Sequence, residues 1–166
     1  KSYGNYPDPK QVIEKYGAEA LRLCFMGNKI MLGEDLTLDE KEFQETRNTI
    51  NILQNSHKYF LTYANLHGWR SGKTTNSKNI LDRWIKARLH EFVAEYSTGL
   101  DNFDLQASTK AIKPFVDDLS TWYIRRSRDR FVSGDKHALG TLYEVLIEFV
   151  KAVAPTLPFS AEQIYG

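Results

Sequence analysis

A single cysteine, Cys24, stands among 166 residues. A lone thiol forms no intramolecular disulfide and builds no Cys-rich zinc site, so a packed core has to hold this chain together. Long apolar runs are missing as well: no stretch approaches the roughly 20 residues that span a bilayer. No charged-then-apolar signal segment opens the chain, so the cytoplasm is the expected compartment, and no membrane partner is expected. Nor is there a surplus of either charge. Twenty-two Lys and Arg face 21 Asp and Glu, a net charge of +1, so no whole-molecule field draws the chain onto a polyanion. Any nucleic-acid site must be a local patch.

What is present suits a globular fold. The chain is 42% hydrophobic and 13% aromatic, and is the size of one ordinary domain with one core and a small appendage. Both ends are abrupt. Lys1-Ser2 is not a natural start, and Ser160-Ala161-Glu162-Gln163 reads as a capping box opening a helix that stops at Gly166. The chain therefore reads as an excised, C-terminally truncated piece.

Helical periodicity runs through most of it. Asp8-Pro9 offers an N-cap and a first-turn proline, Val12, Ile13 and Tyr16 follow at helical spacing, and Gly17 ends the helix. A second helix carries Leu21, Cys24 and Phe25 on one face. Gly27 and Gly33 bracket an irregular apolar stretch at Ile30-Met31-Leu32, and residues 34–38 could form a short strand. Thr37-Leu38-Asp39-Glu40 is a second capping box, ahead of a long helix with Phe43, Ile50, Leu53, Phe60, Leu61 and Ala64 inward. Residues 65–79 are rich in Gly, Ser, Thr, Asn and Lys and read as a surface loop. Ile80, Leu81, Trp84, Ile85, Leu89, Phe92, Val93 and Tyr96 then make a wide apolar stripe closed by Gly99.

Asp104 caps the next helix, whose inward set is Ile112, Phe115, Val116, Leu119, Trp122 and Tyr123, with Pro114 kinking it. After Ser133-Gly134-Asp135 a last long helix turns Leu139, Leu142, Tyr143, Leu146, Phe149, Val150 and Val153 inward and ends before Pro155 and Pro158. Four substantial helices with short connections predict an all-α fold, an antiparallel helical bundle preceded by a small, mainly helical connecting segment. No 20 to 50 residue repeat marks a solenoid.

Gly68-Trp69-Arg70-Ser71-Gly72-Lys73-Thr74 has three residues between its glycines where a phosphate loop needs four, and it follows a helix rather than a strand. A nucleotide site is rejected. The four histidines, His57, His67, His90 and His137, fall on separate elements without a partner at metal-ligand spacing, so no metal site is expected. Asp117 and Asp118 point about 100° apart on a helix and cannot share a proton; Asp118 reads as a surface partner of Arg125 or Arg126.

Two polar constellations remain. In Trp122-Tyr123-Ile124-Arg125-Arg126-Ser127-Arg128-Asp129-Arg130, spacings of three and four set Arg125 beside Arg128 and Arg126 beside Arg130, stripes able to grip phosphates, with Trp122 in the core. A solvated helix end explains those charges equally well. Arg47, Asn51 and Asn55, four apart on the long helix, form a polar face whose amides can read unstacked bases, though an exposed stripe needs no function.

Lys1-Ser2-Tyr3-Gly4-Asn5, Pro7-Asp8-Pro9 and Lys15-Tyr16-Gly17-Ala18-Glu19-Ala20-Leu21-Arg22 resemble the stretch that follows the Lys-Met-Ser-Lys-Ser signature loop of class I aminoacyl-tRNA synthetases. Only the final Lys-Ser of that loop is here, and Tyr3 stands where Leu or another long side chain is usual. Gly33-Glu34-Asp35-Leu36, Leu81-Asp82-Arg83-Trp84-Ile85, Leu100-Asp101-Asn102-Phe103-Asp104-Leu105, Trp122-Tyr123-Ile124-Arg125-Arg126-Ser127-Arg128 and Leu142-Tyr143-Glu144-Val145-Leu146 are similar to the isoleucyl branch, nearly end to end. The valyl and leucyl branches share the general pattern.

The resemblance implies a connecting segment at 1–42 and a helical anticodon-binding domain at 43–166. It implies tRNA, isoleucine-specific, and the rest of the synthetase chain as partners, and Arg47, Asn51, Asn55, Arg125, Arg126 and Arg128 as RNA contacts. Lys1 is by position the catalytic lysine that stabilises ATP phosphates. With the rest of the pocket missing, the fragment is expected to be inactive and to hold no cofactor, ATP and Mg belonging to the parent enzyme. A helical protein-interaction domain that uses the arginines on an acidic partner is the competing reading.

Overall fold

A computed structural model describes residues 8–28, 40–72 and 77–166. The chain begins with two short helices, α1 (Pro9–Tyr16) and α2 (Ala18–Gly27), set by local chemistry. The Asp8 carboxylate accepts from the Lys10 amide at 2.9 Å, Pro9 takes the first helical position, and Gly17 turns the chain at φ 89°, where a side chain would be strained. The apolar stretch at 30–32, the short strand at 34–38 and the capping threonine at 37 lie outside the described residues.

Four long antiparallel segments follow. They are α3 (Glu40–Leu66), α4 (Ile80–Asp101), α5 (Leu105–Asp117) continued by a π-helical turn (Asp118–Ile124) and α6 (Arg128–Val132), and α7 (Lys136–Val153). A short α8 (Pro158–Tyr165) closes the chain. Side-chain caps start three of these helices: Asn79 on Leu81, Asp104 on Ala107 and Asp135 on His137, at 2.8 to 2.9 Å. Among the described residues every regular element is helical, the all-α bundle that the periodicity predicts.

Phe92, Phe115 and Phe149 stack at the centre with ring centroids 4.8 to 5.1 Å apart. Ile85, Leu119, Leu139, Leu142 and Leu146 close around them, each burial worth about 1.5 to 3 kcal/mol. The two leading helices share this core through Val12, Tyr16, Ala20 and Leu23, and Tyr16 stacks on Phe43 at 5.9 Å. Two polar ties hold α2 to the far end of the chain. The buried Glu19 carboxylate accepts from the Phe159 and Ser160 amides at 2.9 Å and from the Ser160 hydroxyl, and Arg22 donates to the Pro155 carbonyl at 2.9 Å. Amides that α8 leaves without partners are thus satisfied by α2.

Several sequence expectations change here. Ser160 does not open α8; Pro158 takes its first position, and the Ser160 hydroxyl is spent on Glu19. Gly99 does not end α4, which runs two residues further. It marks instead the closest approach of α4 and α5, where a Cβ would stand 2.3 Å from the Ser108 hydroxyl oxygen and 2.9 Å from the Ser108 backbone nitrogen. Ile13, Leu61 and Ile80 face outward, on the edges of stripes wider than the contact each helix makes, and Leu21, Phe25, Trp84, Val93 and Tyr143 are half-buried.

Candidate nucleic-acid interface

The arginine-rich segment is organised by an acid far away in sequence. Asp82 lies in the first turn of α4, fully buried, in register with the inward Ile85 and Leu89. Both its oxygens are engaged by Arg130, at 2.7 and 2.8 Å, and it also accepts from the Tyr123 hydroxyl at 2.9 Å and from the Ser77 hydroxyl at 2.5 Å. Arg130 donates its Nε to Asp135 at 2.7 Å, and Asp135 is the cap of α7. One guanidinium thereby ties the starts of α4 and α7 to α6. Burial would raise the Asp82 carboxyl, but the hydrogen bonds from Arg130, Ser77 and Tyr123 hold it below the ordinary carboxylate range. Burial in turn pushes the Tyr123 hydroxyl up.

Between α5 and α6 the helix widens. Pro114 brings no amide hydrogen, and the Thr121 hydroxyl donates to the Asp117 carbonyl at 2.6 Å, drawing it toward a side chain. The π turn that follows takes more residues per turn than the about 3.6 of an α-helix. Buried positions after Leu119 are therefore Tyr123, Ile124, Ser127 and Phe131, and Trp122 leaves the core. It is 52% exposed, and the Arg126 guanidinium lies over its ring at 4.9 Å. The sequence expectation of a buried Trp122 assumed an unbroken α-helix; the one-residue shift overturns it.

Arg125, Arg126 and Arg128 are exposed on this outer face, and among the described residues none of them is paired with a carboxylate. The stripe expected from Arg126 and Arg130 does not form, because Arg130 turns inward to Asp82. Asp118 does not pair with Arg125 or Arg126 either. It accepts from Arg88 of α4 at 2.9 Å, and Asp117 pairs with Lys113 at 2.7 Å. Arg128 lies near Tyr59, whose hydroxyl is raised to about 12 by burial, with the charge of Arg128 opposing the shift.

The second constellation is divided. Asn55 is exposed, while Asn51 and Arg47 are half-buried. The Arg47 guanidinium lies where a Cβ on Gly17 would come within 3.2 Å of it, and neighbouring Gln54 reaches Gln163 of α8 at 3.4 Å. Lys1 lies outside the described residues. Gly68, Trp69, Arg70 and Gly72 follow the end of α3 and border a cleft of about 570 Å³ with Lys136 and Tyr143. Lys73 and Thr74 lie outside the described residues. Among the described residues no three His, Cys, Asp or Glu side chains converge as metal ligands, and no helix is long and apolar enough to cross a membrane.

The sequence reading overlooked Asp82. Its signal was an acid at an inward position of an apolar stripe, a burial that demands a cationic partner.

Residues 82–166 match the family model described as the anticodon-binding domain of tRNA ligase. The chain is 39% identical over 172 aligned positions to the isoleucine–tRNA ligase of Protochlamydia amoebophila (strain UWE25) and 37% identical to that of Chlamydia muridarum (strain MoPn / Nigg). Each alignment covers 99% of this chain and 17% of the relative, so the chain spans about one sixth of the curated proteins it matches. In fold it is similar to a LeuRS of Agrobacterium radiobacter K84 (agnB2), solved in a ternary complex with tRNA and LeuAMS. That likeness has a TM-score of 0.67 at 18% identity, over 99% of this chain and 19% of the other.

Proposed function

Since the chain belongs to the family of tRNA-ligase anticodon-binding domains, we propose that it is the anticodon stem-loop docking module of an isoleucine–tRNA ligase. Residues 1–42 connect it to the catalytic body and residues 43–166 bind the RNA. The parent joins isoleucine to its tRNA in the cytoplasm with ATP and Mg, and Lys1 acts on ATP phosphates only there. The chain alone has no assembled pocket and is inactive. The observation that carries the reading is the exposed set Arg125, Arg126 and Arg128, without carboxylate partners, on a turn braced from beneath by the Asp82–Arg130 pair. In a chain of net charge +1, this is the local patch a polyanion requires.

Rigid mounting suits the task. With α2 tied to α8 through Glu19 and to the α7–α8 corner through Arg22, a bundle that grips RNA holds a fixed orientation to the connecting helices.

Fluorescence anisotropy with a labelled anticodon stem-loop, and duplex DNA as competitor, tests the reading. Saturable binding that resists DNA is expected. Absence of RNA binding, together with capture of acidic polypeptides, would mark a protein-interaction domain instead. Isoleucine-dependent exchange of pyrophosphate into ATP should stay at background.

A further inference from the structure

We propose that Trp122 is a stacking platform for one unpaired nucleobase of the bound RNA, an inference that rests on the tRNA-docking reading above. An indole ring carries a large apolar surface that folding ordinarily buries. Here it is 52% exposed, on a π turn, the kind of helix defect found frequently at functional sites. The ring does not lie loose on the surface. Arg126, one turn on, sits at 4.9 Å from its centroid and fixes it by a cation–π contact.

The surroundings narrow the ligand. Arg126 lies on the ring, and Arg125 and Arg128 are exposed on the same segment without a carboxylate partner among the described residues, so the ring belongs to a basic stretch of surface. A flat π surface with one face left by Arg126, beside guanidinium groups that have no carboxylate partner, is the chemistry that holds single-stranded nucleic acid: the base stacks and the flanking phosphates meet the arginines. A duplex offers no exposed base face. The occupant is therefore a loop nucleotide, and because every base has a π face, the platform adds affinity rather than base identity.

The test uses the whole chain and a 5′-labelled anticodon stem-loop whose loop nucleotides are made abasic one at a time. For Trp122→Ala, the affinity for the intact loop should fall about ten-fold to a hundred-fold, while Trp122→Tyr keeps most of it. The salt slope should be unchanged in both, since no phosphate contact is lost. One abasic position should weaken wild type by a similar factor and have no further effect on Trp122→Ala. Unchanged binding by Trp122→Ala, or a loss that adds to every abasic position alike, overturns the platform and leaves the docking reading standing. Failure of wild type to bind the stem-loop overturns both.

Discussion

Arg130 meets Asp82 in a two-pronged ion pair, Nη1 to Oδ1 at 2.7 Å and Nη2 to Oδ2 at 2.8 Å, across 48 residues of sequence. The carboxylate is withdrawn from solvent and the guanidinium is mostly so. This pair determines which arginines of the 125–130 segment face outward, because the one it captures is lost to any ligand.

Breaking the pair leaves an uncompensated charge in a buried place, which typically costs about 3 to 5 kcal/mol. Asp82→Asn should cost about 3 kcal/mol, the low end, because the amide oxygen still accepts hydrogen bonds. Urea unfolding measures it. A loss below about 1 kcal/mol would show that Asp135 holds Arg130 in place without Asp82.

Acid should act in two stages. Burial lowers the pKa of His57, so the unfolded chain takes up that proton first and stability declines as pH drops below about 6.5. Asp82 and Asp135 have depressed folded values, against burial, through their hydrogen bonds with Arg130. Their contribution is complete above the ordinary carboxylate range and is lost below about 4 as the folded forms protonate. Thermal melts at pH 7.5, 5.5 and 3.5 should show both declines in the wild type and only the second in His57→Gln.

Leu146 and Leu61 make a contrasting pair. Leu146 is buried at the centre of α7, and Leu146→Asp should abolish the cooperative melt, since an unpaired buried carboxylate costs several kcal/mol (about 3 to 5) against a typical total of about 5 to 15. Leu61 is exposed, and Leu61→Asp should shift stability by less than about 0.5 kcal/mol. Circular dichroism melts decide both.

Gly99→Ala forces a methyl onto Ser108, including its backbone nitrogen, so α4 and α5 must separate. A cost of about 1 to 3 kcal/mol is expected by urea titration. A neutral result would mean that the crossing is looser than its distances indicate.

Phosphate grip and base reading separate by salt. Replacing Arg125, Arg126 or Arg128 by alanine should weaken binding to all anticodon stem-loops and reduce the log-log salt slope by about 0.7 to 0.9 per lost phosphate contact. Asn55→Ala should leave the slope alone and lower the preference for the isoleucine anticodon, a base-edge contact being worth about 1 to 3 kcal/mol in DNA systems. Asn51→Ala should do less, since Asn51 is half-buried. Anisotropy at several salt concentrations reads both quantities.

Much of what depends on neighbours within one helical turn was legible in the residues themselves. Asp8, Asp104 and Asp135 cap helices by reaching two or three residues ahead, and the stripes of α4 and α7 recur at the helix period because one face of each must leave water. The exposed arginines at 125, 126 and 128 follow from the same local logic. The direction of Arg130 does not, since it was decided by an acid on another helix. Nor does the role of Ser160, decided by Glu19 at a separation of 141 residues. Trp122 lies between these cases: its spacing from Phe115 and Leu119 points inward on an α-helix, and a single π turn rotates it to the surface. Periodicity carries the geometry of one helix only while its hydrogen-bond ladder is unbroken; which buried charge finds which partner, and where a ladder slips by one residue, depend on packing between elements remote in sequence.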